Sequence, residues 1–169
     1  MLISDEYREM QKTLHENPQY GVSSVIYAPI VDLVISQYQI KEILDYGAGK
    51  CRLRDALENK IDYYPYEPSN ETMDKSPEPR ELVACIDVLE HIEPECLDDV
   101  LDDLRRCVIK YGIFTIHTKP AQKVLPDGRN AHLIQEQPSW WKEKLNKRFS
   151  IIKELDIGNG FVVLVKKDK

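Results

Sequence analysis

An acid followed by two glycines at alternate positions forms the most informative stretch of this 169-residue sequence. In Glu42-Ile43-Leu44-Asp45-Tyr46-Gly47-Ala48-Gly49-Lys50-Cys51, an apolar run leads into the acid and a short helical pattern follows the glycines. Glycines let backbone amides approach a ligand where a Cβ would collide, and the following helix directs its partly positive N-terminus at the same place. This arrangement predicts a binding turn for a nucleotide-type cofactor.

The residues around this turn argue against a cofactor that is bound through phosphates. A dinucleotide fingerprint has the pattern G-x-G-x-x-G, whereas Arg52 occupies the third glycine position here. Asp45 precedes the turn, close to where a pyrophosphate would lie, and two anions repel each other. The turn therefore indicates a phosphate-free ligand that carries cationic or hydroxyl groups.

The positions of these residues depend on strands and helices that alternate along the chain. We predict strands over 41–46, 61–67, 81–87, 113–118, 149–155 and 161–165, and helices near 4–14, 23–35, 51–57 and 94–110. Ser23 or Ser24 would cap the second helix, Pro29 would kink or begin it, and Gly112 would close the helix over 94–110. Residues 119–137 form a loop, and Ser139 would cap a short helix.

This alternation predicts a single α/β domain over residues 1–169, with a mainly parallel sheet and helices on both faces. The turn over 156–160 closes a C-terminal hairpin, which adds an antiparallel strand. Ligands of such sheets bind at the carboxyl ends of the strands. We therefore expect four residues to gather at that edge: Asp45, Glu67, Asp87 and Thr118.

The motifs at this edge resemble those of one enzyme family. Asp45-Tyr46-Gly47-Ala48-Gly49 resembles motif I, D-x-G-x-G, of the class I S-adenosylmethionine-dependent methyltransferases, and Asp87-Val88-Leu89-Glu90-His91 resembles the D-V-L-E-H motif found in many members. The resemblance covers roughly residues 24–169. It implies a Rossmann-like fold and an S-adenosylmethionine site made by Asp45, Gly47, Gly49, Glu67 and Asp87. Glu67 would accept hydrogen bonds from the ribose hydroxyls.

The sequence departs from the family pattern in two places. Cys51 stands where the family often has a third small residue. Only fourteen residues separate Glu67 from Leu82, too few for the usual helix, third strand and helix. We therefore expect a shortened or missing third strand, and Asp74 is the one candidate for the acid that reads the adenine amino group.

Methyl transfer places few demands on side chains, because holding the reacting atoms in line supplies most of the catalysis. A general base helps when the acceptor carries a proton, and the candidates are His132 and His117. Arg129 would anchor an anionic substrate group, and Trp140 or Trp141 would stack on a flat one. We expect no metal in this site.

Composition restricts the partners and the compartment. The net charge of -6 argues against bulk electrostatic binding of nucleic acid. Four cysteines without a C-x-x-C pair are predicted to be buried thiols in a reducing cytoplasm. The sequence contains no apolar run near 18 residues and no signal-peptide pattern, so we expect no membrane span.

The leading functional hypothesis is methyl transfer from S-adenosylmethionine to a small molecule. Residues 1–40 would form a helical leader that either covers the ligand as a lid or only covers the sheet, and residues 119–148 would form a substrate-side loop and short helix. The alternatives are a domain that binds the cofactor without catalysis and a nucleic-acid methyltransferase. Arg52 disfavours a nicotinamide-dependent oxidoreductase.

Overall fold

A computed structural model describes residues 1–167 as a six-stranded sheet with helices on both faces. The helices are α1 (Asp5–His15), α2 (Ser23–Tyr38), α3 (Arg52–Ala56), α4 (Leu97–Cys107) and α5 (Pro138–Asn146). The strands are β1 (Glu42–Tyr46), β2 (Asp62–Tyr66), β3 (Arg80–Ile86), β4 (Val108–His117), β5 (Phe149–Asp156) and β6 (Gly160–Lys167). Their order in the sheet is β2-β1-β3-β4-β6-β5.

The first four strands are parallel, and β6 inserts antiparallel between β4 and β5. The predicted α/β fold with a C-terminal antiparallel hairpin is therefore confirmed. Gly160 begins β6 where a Cβ would lie 2.1 Å from the carbonyl oxygen of Ile116. Only glycine fits at this crossing, so the hairpin turn and the pairing of β6 with β4 depend on the same residue.

The helix predicted over 94–110 is shorter than expected, and Gly112 does not close it. A 3₁₀ turn over Pro94–Cys96 leads into α4, which ends at Cys107, and β4 begins at the next residue. Val108 already pairs with Arg80 of β3, so strand pairing overrides the basic residues that suggested a longer helix. Gly112 lies inside β4, where a Cβ would come within 2.7 Å of Phe114 Cζ.

Two predicted helix caps are also wrong. Helix α2 continues through Pro29, and its N-cap is Val22 with no side-chain hydrogen bond. Ser23 instead donates to Asp87 at 2.6 Å. Helix α5 begins at Pro138 rather than after Ser139, because proline suits the first helical position.

The core consists of one apolar cluster on each face of the sheet. Helices α4 and α5 cover one face with Leu101, Leu104 and Trp141, while α2 covers the other with Val31 and Ile35. All four cysteines are free and buried, as predicted. A third cluster joins α1 to the loop after β4 through Tyr7, Leu125 and Ala131.

Residues 67–79 connect β2 to β3 without a strand between them. This agrees with the shortened third-strand region that the sequence predicts. Asp74 is the candidate for the acid that reads the adenine amino group. It forms an ion pair with Arg8 of α1, with 3.8 Å between Asp74 Oδ2 and Arg8 Nη1. Among the described residues, no helix is long and apolar enough to cross a membrane.

Candidate active site

A pocket opens at the carboxyl ends of β1, β2 and β3. Asp45, Gly47, Gly49, Glu67 and Asp87 all line it. The five residues that the sequence predicted around the cofactor therefore meet in one place. Thr118, which was also expected at this edge, does not line the pocket. Its backbone amide donates to the carbonyl oxygen of Asn159 in the hairpin turn at 2.9 Å.

Asp45 is a buried acid at the base of the pocket, with 3% of its surface exposed. Burial raises its pKa to about 7, a hydrogen bond from the Tyr63 hydroxyl opposes this rise, and the charge of Glu67 adds to it. Asp45 is therefore mostly protonated below about pH 7, and a neighbouring cation would favour its charged form.

The glycine turn holds its backbone in the left-handed region, with φ values of +83° at Gly47 and +52° at Gly49. The amides of Gly47 and Ala48 both donate to the carbonyl oxygen of Tyr66, at 2.8 and 2.9 Å. A Cβ on Gly47 would lie 2.5 Å from Val88 Cγ2. The turn is thus fixed between the end of β2 and the segment after β3.

Glu67 is held in position by three donors. Its Oε2 accepts from the Gly49 amide at 3.0 Å, and its Oε1 accepts from the amide and hydroxyl of Ser69 at 3.0 and 2.7 Å. The residue is 8% exposed and faces the pocket. Each carboxylate oxygen has more than one acceptor position, so a diol in the pocket can still donate to it.

The N-terminal leader forms part of the pocket wall. Ile3, Tyr7, Gln11 and His15 of the leader line the pocket together with Tyr20. Tyr7 donates its hydroxyl to the carbonyl oxygen of His91 at 2.6 Å, and Gln11 donates to Tyr7 at 2.7 Å. Helix α1 is therefore fastened directly to the segment after β3.

The basic residues after the glycine turn also bind the leader. The Arg52 guanidinium donates to the carbonyl oxygen of Pro18, and Lys50 donates to those of Asn17 and Tyr20. No local pattern predicts these contacts, because they join residues thirty or more positions apart. The arginine at the third glycine position thus anchors the chain that covers the pocket.

Asp87 lies at a strained position after β3, with φ +57°. Its Oδ1 lies 2.9 Å from His117 Nδ1 and 3.5 Å from His91 Nε2, and its Oδ2 accepts from Ser23. Burial opposes ionisation, but hydrogen bonds from His117 and His91 outweigh it and lower the pKa of Asp87. Asp87 is therefore an anion at the edge of the pocket.

The two candidate bases have opposite properties. His117 Nδ1 lies 2.9 Å from both Asp87 Oδ1 and Glu90 Oε1, and these hydrogen bonds raise the pKa of His117 to about 10. Burial lowers the pKa of His132. His132 is the neutral imidazole of the two, and a general base must be unprotonated before it accepts a proton. Neither histidine lines the pocket itself, and the directions of the two pKa shifts favour His132 over His117 as a proton acceptor.

The predicted substrate anchors lie elsewhere. Arg129 is paired with Asp127, with 2.8 Å between Nε and Oδ2. Trp140 belongs to α5 and packs edge-to-face on Trp141, with Lys144 over its ring. Neither Arg129 nor Trp140 lines the pocket, and Trp141 is completely buried.

Glu90 was not among the predicted site residues, although its side chain is completely buried beside the pocket. Oxygen and nitrogen donors from Asp87, Glu90, His117 and His132 lie within 4.8 Å of one another. The D-x-x-E-H spacing was visible in the sequence. The two distant histidines that complete the group were visible only as separate base candidates.

No family model and no curated protein matches this chain. Its fold is similar to that of a Burkholderia thailandensis 1,6-didemethyltoxoflavin-N1-methyltransferase, solved with 1,6-didemethyltoxoflavin and S-adenosylhomocysteine, with a TM-score of 0.73 and 12% identity over 100% of this chain and 92% of the other. For the Synechocystis PCC 6803 magnesium protoporphyrin IX methyltransferase with bound S-adenosylhomocysteine, the TM-score is 0.61, with 12% identity over 97% of this chain and 95% of the other.

The 16S rRNA methylase ArmA is similar at a TM-score of 0.59, with 16% identity over 97% of both chains. At such identities the likeness concerns the fold. The mixed sheet described above matches the Rossmann-like fold of these methyltransferases.

Proposed function

We propose that this protein transfers a methyl group from S-adenosylmethionine to an acceptor molecule. The observation that carries the proposal is the meeting of Asp45, Glu67 and the glycine turn in one pocket at the carboxyl ends of β1 and β2. The fold similarity to proteins solved with S-adenosylhomocysteine supports the same cofactor for this chain.

The residues of the pocket suit this cofactor. The positively charged methionine portion would lie near Asp45, whose charged form it would favour, and the ribose hydroxyls would donate to Glu67. A Cβ at Gly47 or Gly49 would crowd the turn, so the two glycines let the backbone itself face the cofactor. The sulfonium of the bound cofactor would supply the activated methyl group.

The side chains of this protein would contribute position and shielding. The leader would act as a lid, because α1 lines the pocket and is tied to the chain after β3 by Tyr7. Excluding water strengthens the electrostatic contacts inside. His132 would accept a proton from the acceptor, since its imidazole is neutral and its ring lies beside Asp87 at the pocket edge.

We propose a small molecule as the acceptor. Tyr7 of the leader packs against Leu125 and Ala131 of the loop over 119–137, so both segments would restrict the approach of a polymer to the pocket. The net charge of -6 also disfavours a polyanion. Arg129 and Trp140, outside the pocket, would serve a substrate only if it extended beyond the leader. Four free cysteines suit a reducing compartment, and we place the reaction in the cytoplasm.

Isothermal titration with S-adenosylhomocysteine tests the cofactor proposal. Wild type should bind, and Glu67→Ala should bind at least about tenfold more weakly, because a lost charged hydrogen bond costs about 1.5–3 kcal/mol. Glu71→Ala, an exposed acid in the same connection, is the matched control. An absence of binding by folded wild type would overturn the proposal.

A cofactor-binding domain without catalysis is the second candidate. The missing strand after Glu67 favours it, because the residue that reads the adenine would normally follow that strand. Incubation with labelled S-adenosylmethionine and fractionated metabolites, RNA, DNA and protein separates the two. Label transferred to any fraction supports the enzyme, and binding without transfer to any of them supports the second candidate.

A further inference from the structure

Four donor side chains from separate parts of the chain face one another beside the pocket. Asp87 and Glu90 follow β3, His117 ends β4, and His132 lies in the loop after it. Their donor atoms, two carboxylate oxygens and two ring nitrogens, lie within 4.8 Å of one another. Carboxylates and imidazoles together are ligands for first-row divalent metals.

The spacing of these atoms is close to that of a coordination shell. His117 Nδ1 is 2.9 Å from Asp87 Oδ1 and from Glu90 Oε1, and His132 Nε2 is 4.0 Å from the same Asp87 oxygen. Ligands bonded at about 2.1 Å lie about 3.0–3.4 Å apart in octahedral or tetrahedral geometry. A small inward movement of His132 would complete the shell.

The outer nitrogens of both imidazoles are already engaged. His132 Nδ1 lies 2.6 Å from the carbonyl oxygen of Lys119, which only accepts, so Nδ1 carries the hydrogen and Nε2 presents a lone pair towards Asp87. His117 Nε2 lies 3.1 Å from the Tyr27 hydroxyl, with Nδ1 towards the carboxylates. Metal-bound histidines are oriented in this way by a partner on the other nitrogen.

Glu90 supplies a separate indication of a missing ligand. Its side chain is completely buried, and its Oε2 has no hydrogen-bond partner among residues 1–167. Over the same residues, the ion-pair partners of Asp87 and Glu90 are histidines. A buried carboxylate with one oxygen left without a partner is costly, and a cation bound by the Glu90 carboxylate would offset that cost.

We propose that Asp87, Glu90, His117 and His132 bind one divalent first-row transition metal, such as Zn²⁺ or Mn²⁺. The two nitrogen ligands favour these metals over Mg²⁺ and Ca²⁺, which prefer oxygen. The inference differs from the expectation of a metal-free site. It also replaces the role of His132 as a general base, because a metal on Nε2 would occupy the lone pair that accepts a proton. Asp87 also lines the cofactor pocket, so the metal would lie at the edge of that pocket and would take an oxygen of the acceptor there. That last role rests on the proposed function, whereas metal binding does not.

Metal titration of chelator-treated protein tests the site directly. Wild type should bind one equivalent of Zn²⁺ by calorimetry, and Co²⁺ should give visible absorption bands that report nitrogen and oxygen ligands. His132→Gln and Glu90→Gln should each weaken binding by at least about tenfold. His15→Gln removes a histidine outside the cluster and should retain wild-type affinity. Circular dichroism confirms that each variant folds.

The outcomes separate the site from its alternatives. No stoichiometric binding of Zn²⁺, Mn²⁺ or Co²⁺ by wild type would mean that a shared proton holds the cluster together, and the proposal would be wrong. Unchanged Co²⁺ bands in His132→Gln, or an equal loss in His15→Gln, would overturn it as well. If Glu90→Gln does not fold, His132→Gln decides alone, because His132 lies in a loop. Titration of the same protein with S-adenosylhomocysteine separates a failed metal site from a failed cofactor site.

Discussion

The carboxylate of Glu67 accepts a hydrogen bond from the backbone amide of Gly49 at 3.0 Å. The acid at the end of β2 and the glycine turn after β1 are therefore one rigid unit before any ligand arrives. Such preorganisation lowers the cost of binding, because fewer groups must be ordered. The other oxygen of Glu67 is held by Ser69.

Ser69→Ala should weaken cofactor binding although Ser69 itself does not line the main pocket. The variant removes the 2.7 Å hydrogen bond from the Ser69 hydroxyl to Glu67 and leaves the backbone bond in place. A hydrogen bond worth about 0.5–1.5 kcal/mol predicts a loss of about two- to tenfold. Calorimetry with S-adenosylhomocysteine measures it, and Ser76→Ala, an exposed serine, is the control. Equal affinities in both variants would contradict the prediction.

Gly47→Ala should destabilise the protein more than Gly158→Ala. Both glycines have nearly the same φ, +83° at Gly47 and +82° at Gly158. A Cβ at position 47 would lie 2.5 Å from Val88 Cγ2, whereas a Cβ at position 158 would have no atom within 4 Å. The shared backbone strain cancels in the comparison. The clash at position 47 should therefore lower the free energy of unfolding of Gly47→Ala by about 1–3 kcal/mol more than that of Gly158→Ala.

Urea unfolding of both variants measures this excess. Repeating the measurement in a Val88→Ala background should remove most of it, because the nearest atoms are gone. If Gly47→Ala remains more destabilising than Gly158→Ala in the Val88→Ala background, the contact with Val88 is not what excludes a side chain at position 47.

The pKa of Asp45 predicts a pH dependence of stability. Its folded-state value of about 7 lies above the ordinary value of 3.8, so the folded state binds more protons between these values. This contribution is fully present below about pH 4 and is lost as the pH rises through about 7. A difference of about three units between the folded and unfolded pKa values corresponds to at most about 4 kcal/mol of folding stability.

Asp45→Asn should show a flatter profile than wild type between about pH 4.5 and about pH 7.5, measured by urea unfolding without ligand. Asp62→Asn, at an exposed position, should follow wild type. Parallel profiles for wild type and Asp45→Asn would show that the buried acid does not hold a proton in this range.

Glu93→Ala should release the leader. The Glu93 carboxylate accepts from the Ser4 hydroxyl at 2.6 Å and from the Ser4 amide at 2.8 Å, and it is 8% exposed. Loss of these bonds should accelerate hydrogen exchange in α1 by at least about tenfold. It should also weaken binding of S-adenosylhomocysteine.

Exchange followed by mass spectrometry measures the effect on α1, with Glu95→Ala as an exposed neighbouring control. Faster exchange in α1 with unchanged cofactor affinity would mean that the leader only covers the sheet. That result would reject its role as a lid.

The cofactor edge could be predicted from sequence because the relevant residues lie at the ends of strands. Asp45 is near the end of β1, Glu67 and Asp87 directly follow β2 and β3, and parallel strands bring such positions together. The turn after β1 can be identified in the sequence by Gly47 and Gly49. Local pattern and sheet topology were sufficient here.

Other features depend on contacts that no local pattern records. The end of α4 at Cys107 is set by pairing of Val108 with β3, although the sequence continues with helix-compatible residues. The contacts of Arg52 with Pro18 and of His132 with Asp87 join segments that meet only in the folded chain. Arg52, His132 and Asp87 could each be singled out in the sequence, but the residue that each would contact could not.

The absent strand between β2 and β3 leaves β2 at the margin of the sheet, where an unpaired backbone invites association with other chains. The Asp62 amide donates towards β1, to Lys41. Amides alternate in direction along a strand, so the nitrogens of positions 63, 65 and 67 face outward. The middle one belongs to Pro65, which has no hydrogen to offer, so the amide of Tyr63 is separated from the next outward amide. The next outward amide, that of Glu67, is bonded to Met73 at 3.0 Å. A proline and a folded-back connection thus protect this protein against edge-to-edge aggregation, the task that a further strand performs in a longer sheet.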